Sequence, residues 1–126
     1  MKTEQRVSNL ELSKKLRDLN VKQDSFWWWY YSGRTEEWTL GDEFEEQNIA
    51  NCCDKVSAFS VGELGEMLPA NKVRTLKWFS DWYCEVFDDV VEQLNAICRK
   101  VATTEANARA KCLIYLLENK LMEIPK

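Results

Sequence analysis

Thr103–Met122 reads TTEANARAKCLIYLLENKLM, and the way this stretch divides in two decides the architecture. In its second half Leu113, Ile114, Leu116, Leu117 and Leu121 recur at helical spacing over an arc too wide for a surface helix. A helix built from it must be buried on more than one side, so the other elements have to pack around it. The first half carries almost no bulk. Ala106, Ala108 and Ala110 separate Asn107, Arg109 and Lys111, and Thr103 or Thr104 stands where it can cap the free amides of the first turn. Small neighbours, open N–H groups and a guanidinium one turn in suit an anion. The competing reading is an ordinary Ala-rich first turn whose Arg109 is solvated or salt-bridged.

Working outward, Asp89-Val90-Val91-Glu92 reads as the opening of a further helix, with Val90, Val91, Leu94, Ile97, Cys98 and Val101 on one face. Its valines and short polar gaps would also suit a strand. Val73 to Phe87 reads as a β-hairpin around Ser80-Asp81, with Leu76 and Trp78 before the turn and Trp82, Cys84 and Val86 after it. Before it, Ser60-Val61-Gly62-Glu63 is a capping box with Phe59 and Leu64 as its hydrophobic staple, and Pro69 ends the short helix. Gly62 and Gly65 inside that helix are read as permitting close packing.

Phe26 to Ser32, FWWWYYS, is a strand with aromatics on both faces. One row should meet a helix, and the other a second subunit, a ligand or a loop. Gly33 to Glu36 turns the chain and Glu37 to Leu40 returns as the partner strand. From Gly41 to Asn51 the chain is acidic and irregular, with Asp42, Glu43, Glu45 and Glu46 around a lone Phe44, and nothing supplies the burial that a catalytic carboxylate pair needs. At the other end, Ser8-Asn9-Leu10-Glu11 is read as a capping box with Val7 and Leu12 as staple. Leu10, Leu12, Leu16 and Leu19 then line one side of a helix that Asn20 stops. The expected fold is α+β: an antiparallel sheet of two hairpins with an N-terminal helix, a short middle helix and C-terminal helices packed on it, residues 1–126 forming one domain.

Composition narrows the chemistry. A net charge of −4 and a pI near 5.0 argue against sequence-independent binding to long nucleic acid, which needs a continuous basic stripe. Neither a signal-like apolar run nor a stretch of membrane-spanning length is present, so no membrane association is expected. The five cysteines, an odd number, read as free thiols in a reducing cytosol, with Cys98 and Cys112 as small core hydrophobes. Histidine is absent, Cys52-Cys53 lacks zinc-knuckle spacing, and none of the four glycines falls in a phosphate-loop array. No metal, no cofactor and no catalysis are therefore expected.

What remains is six tryptophans and a few cations, Arg74, Lys77, Arg99, Lys100, Arg109 and Lys111, on an acidic chain. Aromatic rings stack on bases at about 1–3 kcal/mol each and arginine pairs with phosphate bidentately, a combination that suits a nucleotide. The competing reading makes every tryptophan core or interface and every arginine solvated.

Three runs, LELSKKLRDLNVKQDSFWWWYYS (10–32), SAFSVGELGEMLP (57–69) and TTEANARAKCLIYLLENK (103–120), resemble small proteins of phages and bacterial prophages. ELGEMLP and ANARAKCLIYLLEN are the most specific parts. Within that set the pattern is similar to the type-one Thoeris anti-defence sponges, which sequester a cyclic ADP-ribose signal, and in some members cyclic oligonucleotides. The resemblance implies a non-enzymatic homo-oligomer, dimer or higher, acting in the cytoplasm of the infected bacterial host, with pockets at subunit boundaries. It maps onto Asn107 and Arg109 with aromatics of the sheet, and the expected mechanism places Arg109 and the helix amides on a diphosphate, Asn107 on a ribose or base edge, and Trp78, Phe79 or Trp82 against an adenine, with Arg74 as a further cation. The stretch from Asp88 to Ala102 falls outside the pattern and leaves the second wall unassigned. Two other classes compete: a protein-binding inhibitor of the anti-CRISPR kind that uses Asp42 to Glu46 as a DNA mimic, and a structural homo-oligomeric phage accessory protein.

Overall fold

The long C-terminal helix forms where alanine, then leucine, favours it, and it becomes the centre of the molecule. In the computed structural model, which describes residues 2–42, 54–70, 72–87 and 96–125, Thr104 caps this helix by accepting from the Asn107 amide at 3.2 Å. Eight of its fourteen residues are buried, which places it among other elements instead of on the surface. The chain order is a short 3-10 turn (Thr3–Gln5), α1 (Leu10–Asp18), β1 (Trp27–Ser32), β2 (Glu37–Asp42), β3 (Asp54–Ala58), α2 (Val61–Met67), β4 (Val73–Trp78), β5 (Asp81–Phe87), β6 (Ala96–Ala102) and α3 (Glu105–Glu118). The fold class is α+β, with antiparallel pairing between all the strands among the described residues.

The two hairpins lie in separate three-stranded sheets, ordered β2-β1-β3 and β4-β5-β6. Each gains an edge strand. In the first, β3 pairs with β1, Trp29 opposite Val56. In the second, β6 pairs with β5, and this corrects the expected helix over the 90–101 segment: residues 96–102 are strand, while 88–95 lie outside the described residues. The alternation of β6 explains the outcome, since Cys98 is buried while Ile97, Arg99 and Val101 are exposed. The second hairpin turns at Phe79-Ser80, one residue earlier than expected, because Trp78 pairs with Asp81. Phe79 takes φ 58°, a left-handed conformation at the first position of the turn.

α3 packs on β5, β6, α2 and α1, and α1 packs on β3. The core runs through Leu12, Leu16, Phe59, Leu64, Leu68, Val86, Cys84, Leu113 and Leu116. The N-terminal cap of α1 is Asn9, which accepts from the Leu12 amide at 2.8 Å, and not Ser8. Ser8 is drawn instead into a buried exchange with Phe59: its amide donates to the Phe59 carbonyl at 2.8 Å, and its Oγ accepts from the Phe59 amide at 3.0 Å. The Trp29 indole also donates to the Ser8 carbonyl at 3.0 Å, which ties the aromatic strand to the start of α1. On that same face Tyr31 meets Trp38 at 5.4 Å, and the Lys14 ammonium lies 4.6 Å from the Trp38 ring. This is the row expected to meet a helix. The Ser60–Glu63 capping box of α2 forms in both directions.

Candidate functional site

The first turns of α2 and α3 are brought side by side, and the reason is a glycine and an arginine. A Cβ at Gly65 would collide with Nη1 of Arg109, so glycine lets the guanidinium lie against α2 without shifting. At Gly62, by contrast, a Cβ would meet only Ser60 Oγ at 4.0 Å, an ordinary contact, and the residue lines a cleft. Arg109 Nη2 donates to Glu105 Oε2 at 2.9 Å and to Thr75 Oγ1 at 3.3 Å, and Nη1 donates to the Val61 carbonyl at 3.3 Å. Thr75 completes the set by donating to the same Glu105 oxygen at 3.1 Å. One side chain thus joins α2, α3 and β4. Its Nε is buried without a hydrogen-bond partner among the described residues. The pair Arg109–Glu105 is four residues apart on α3, and both side chains are about a fifth exposed, at 21% and 23%.

In front of this bracket lies a cleft of ≈ 530 Å³ formed by Gln5 and Arg6, by Ser60 to Gly62, by Lys77 and Trp82, and by Thr103 to Glu105. Two of its walls, Val61 and Glu105, are the groups that Arg109 holds from behind. The Lys77 ammonium sits 5.8 Å from the centre of the Trp82 ring. Arg6 and Lys77 make no ion pair among the described residues, so with Glu105 offset by Arg109 the cleft carries a surplus of positive charge. The amide end of α3 adds to it. Two other clefts have similar size. The one of ≈ 480 Å³ beside Lys22 is dominated by Asp24, Glu63 and Glu66, the wrong sign for an anion. The one of ≈ 460 Å³ holds Lys15, Lys100 and Lys111, of which Glu11 and Glu118 offset two and Lys111 is already bound to the Val101 carbonyl at 2.9 Å.

The six residues singled out from sequence therefore separate. Trp82 lines the cleft and Arg109 stands immediately behind it. Asn107 points elsewhere: two residues along a helix is more than half a turn, and its Oδ1 accepts from the Asn9 amide at 2.8 Å, which fastens α1 to α3. Arg74 lies on the opposite face of its sheet, where it pairs with Glu85 at 2.9 Å and covers the Phe87 ring at 5.2 Å. Trp78 and Phe79 form an exposed edge-to-face pair at the hairpin tip, 61% and 86% exposed. Within one chain, then, Asn107, Arg74 and the tip aromatics do not join Arg109. Arg6 and Gly62 were missed as lining residues because the cleft is assembled from four distant segments, none of which carries a motif for it. The acidic stretch at 43–46 lies outside the described residues, as do Cys52 and Cys53.

Among the described residues no cluster of His, Cys, Asp or Glu is arranged to hold a metal, and no helix is long and apolar enough to cross a membrane. No protein-family model, curated protein or solved structure matches the chain.

Proposed function

We propose that this chain is a phage anti-defence protein that binds a small cyclic nucleotide signal, such as a cyclic ADP-ribose isomer, and keeps it intact. The observation that carries the reading is the cleft in which Trp82, Lys77, Arg6 and the first turn of α3 converge. A nucleotide needs an aromatic surface for its base and cations for its phosphates, and this cleft offers one indole and two cations that make no ion pair among the described residues, within a volume suited to a small ligand. Trp82 would stack the base, and Lys77 with Arg6 would face the diphosphate. Arg109 fixes the wall by holding Glu105 and Val61. The resemblance of the 57–69 and 103–120 runs to the Thoeris sponges supports the same reading. So does the way they meet: Gly65 of one makes room for Arg109 of the other.

Sequestration without chemistry predicts recovery of the ligand. Purified protein is mixed with cyclic ADP-ribose isomers and cyclic di- and trinucleotides, freed of unbound ligand by gel filtration and then heated. One of these ligands is expected to be released with unchanged mass. Recovery of a hydrolysed product, or of no ligand from any mixture, would contradict the proposal.

A second reading draws on the exposed Trp78–Phe79 tip. Two large aromatics in water favour a protein surface, either a second copy of this chain or a host defence protein. Its mark is a stoichiometric protein complex that the double substitution Trp78→Ser, Phe79→Ser abolishes, with no change in small-molecule retention.

A further inference from the structure

Three thiols meet inside the core, one from each of three elements. Cys84 of β5 and Cys112 of α3 are fully buried, and Cys98 of β6 is 4% exposed. The sulfurs of Cys98 and Cys112 are 3.4 Å apart, in contact with no atom between them. The Cys112 thiol donates to the Cys84 carbonyl at 3.0 Å, which fixes its position. A single buried cysteine is ordinary core filling. Two sulfurs in contact between a strand and a helix make a pair whose closure to a disulfide needs an approach of only about 1.4 Å, given a bond length of about 2.0 Å. The two elements are also held in register by the Lys111 ammonium on the Val101 carbonyl at 2.9 Å.

We propose that Cys98 and Cys112 form a redox pair that closes to a disulfide between β6 and α3 on exposure to a hydroperoxide. Cys98 is the attacking sulfur, since it lies on the edge strand and alone of the three has any contact with solvent. Its acidity fits that role: the hydrogen bond with Cys112 outweighs burial and, with the charge of Lys100, lowers its pKa. Cys112 is shifted the other way, up, by its hydrogen bonds with Cys84 and Cys98 and by burial. The Cys98 thiolate attacks one peroxide oxygen, the O–O bond breaks, and the departing oxygen leaves as water once protonated, giving a sulfenic acid. The Cys112 sulfur then attacks the Cys98 sulfur. The S–O bond breaks, and the hydroxyl leaves as water with the Cys112 proton. In sum two thiols and one hydrogen peroxide give one disulfide and two waters, the sulfurs supplying both electrons.

The bridge would close a loop, residues 98–112, that contains Thr103 to Glu105, one wall of the cleft. It would therefore fasten that wall without using any residue that faces a ligand, and it holds whatever the cleft binds. The test uses the full chain with Cys52→Ser and Cys53→Ser, so that only the three core thiols remain. Native protein is treated with equimolar hydrogen peroxide and its intact mass measured without reductant. A loss of two hydrogens, about 2 Da, reversed by dithiothreitol, is expected. Tryptic mapping should then join peptide 78–99 to peptide 112–120, with fragmentation placing the bridge on Cys98. Adding Cys98→Ala should abolish the mass loss. If that variant does not fold, the map of the parent chain decides alone. Gain of oxygen without loss of hydrogen, no change in mass, or a bridge on Cys84 would overturn the proposal.

Discussion

Two charged clusters lie on opposite faces of the β4-β5-β6 sheet, and they are built on opposite plans. On the face covered by α3, Arg109 and Glu105 share their burial about equally, and the guanidinium spreads its contacts over a carboxylate, a hydroxyl and a carbonyl. On the other face Glu85 is buried, its side chain 4% exposed, between Arg74 and Arg99, which are 50% and 64% exposed. Glu85 accepts from Arg74 at 2.9 Å and from Arg99 at 3.0 and 2.7 Å, so one carboxylate from the central strand is gripped by both neighbours. That cluster is saturated and works as a staple across three strands. The Arg109 cluster retains a buried N–H without a partner among the described residues and stands against a cleft. The same residue types thus form a filled staple across strands in one place and a bracket between helices beside a cleft in the other.

Substitutions can separate the two plans. Arg109→Met should have the largest effect, because it strands a partly buried Glu105 and removes the bracket between α2, α3 and β4. A loss of about 3 kcal/mol in urea unfolding is expected, whereas Arg99→Met should cost less, because Arg74 still pairs with the buried Glu85. Equal losses would erase the distinction drawn here.

Glu85→Gln comes next and carries a pH signature. Burial by itself raises the Glu85 pKa, but the hydrogen bonds and charges of Arg99 and Arg74 together outweigh it and hold the group below its ordinary value of 4.5. A carboxyl whose folded pKa is depressed contributes stability that is fully present above its unfolded value and is lost as pH falls through the folded one. The gap in stability between the natural chain and Glu85→Gln should therefore be constant from neutral pH down to about 5 and shrink below 4.5. Urea midpoints measured across that range check it, and a gap that widens in acid would contradict it. Gly65→Ala should have the smallest effect. A helical Gly→Ala change ordinarily gains about 1 kcal/mol, but here the new methyl must push Arg109 Nη1 aside. The expected result is no gain, together with weaker ligand retention.

Much of this fold was legible. The alanine and leucine halves of α3, the Thr104 cap, the Ser60–Glu63 capping box and the first hairpin all follow from local chemistry, and local chemistry survives into the structure. The edge strands were not. β6 places Val101, Ile97 and Cys98 at intervals that also suit a helix, and only its pairing with β5 decides. β3 follows an acidic stretch with no turn signal that would announce a strand. Ser8 reads as a cap from sequence, but Asn9 beside it caps equally well, and Phe59, fifty-one residues away, competes for the serine. For the site, the residue types were legible and their grouping was not. Asn107 and Arg109 are near in sequence but lie on different sides of α3, whereas Arg6, Gly62, Lys77 and Trp82 are far apart in sequence and share one cleft.

Calorimetric titration of the ligand recovered by heat release, into the natural chain and into Trp82→Ala, Lys77→Glu and Arg74→Glu, tests the central claim most directly. The cleft account predicts saturable binding that Trp82→Ala abolishes, that Lys77→Glu weakens at least about tenfold and that Arg74→Glu, on the far face of the sheet, leaves intact. Binding unaffected by Trp82→Ala and Lys77→Glu, or lost through Arg74→Glu alone in a folded protein, would contradict it.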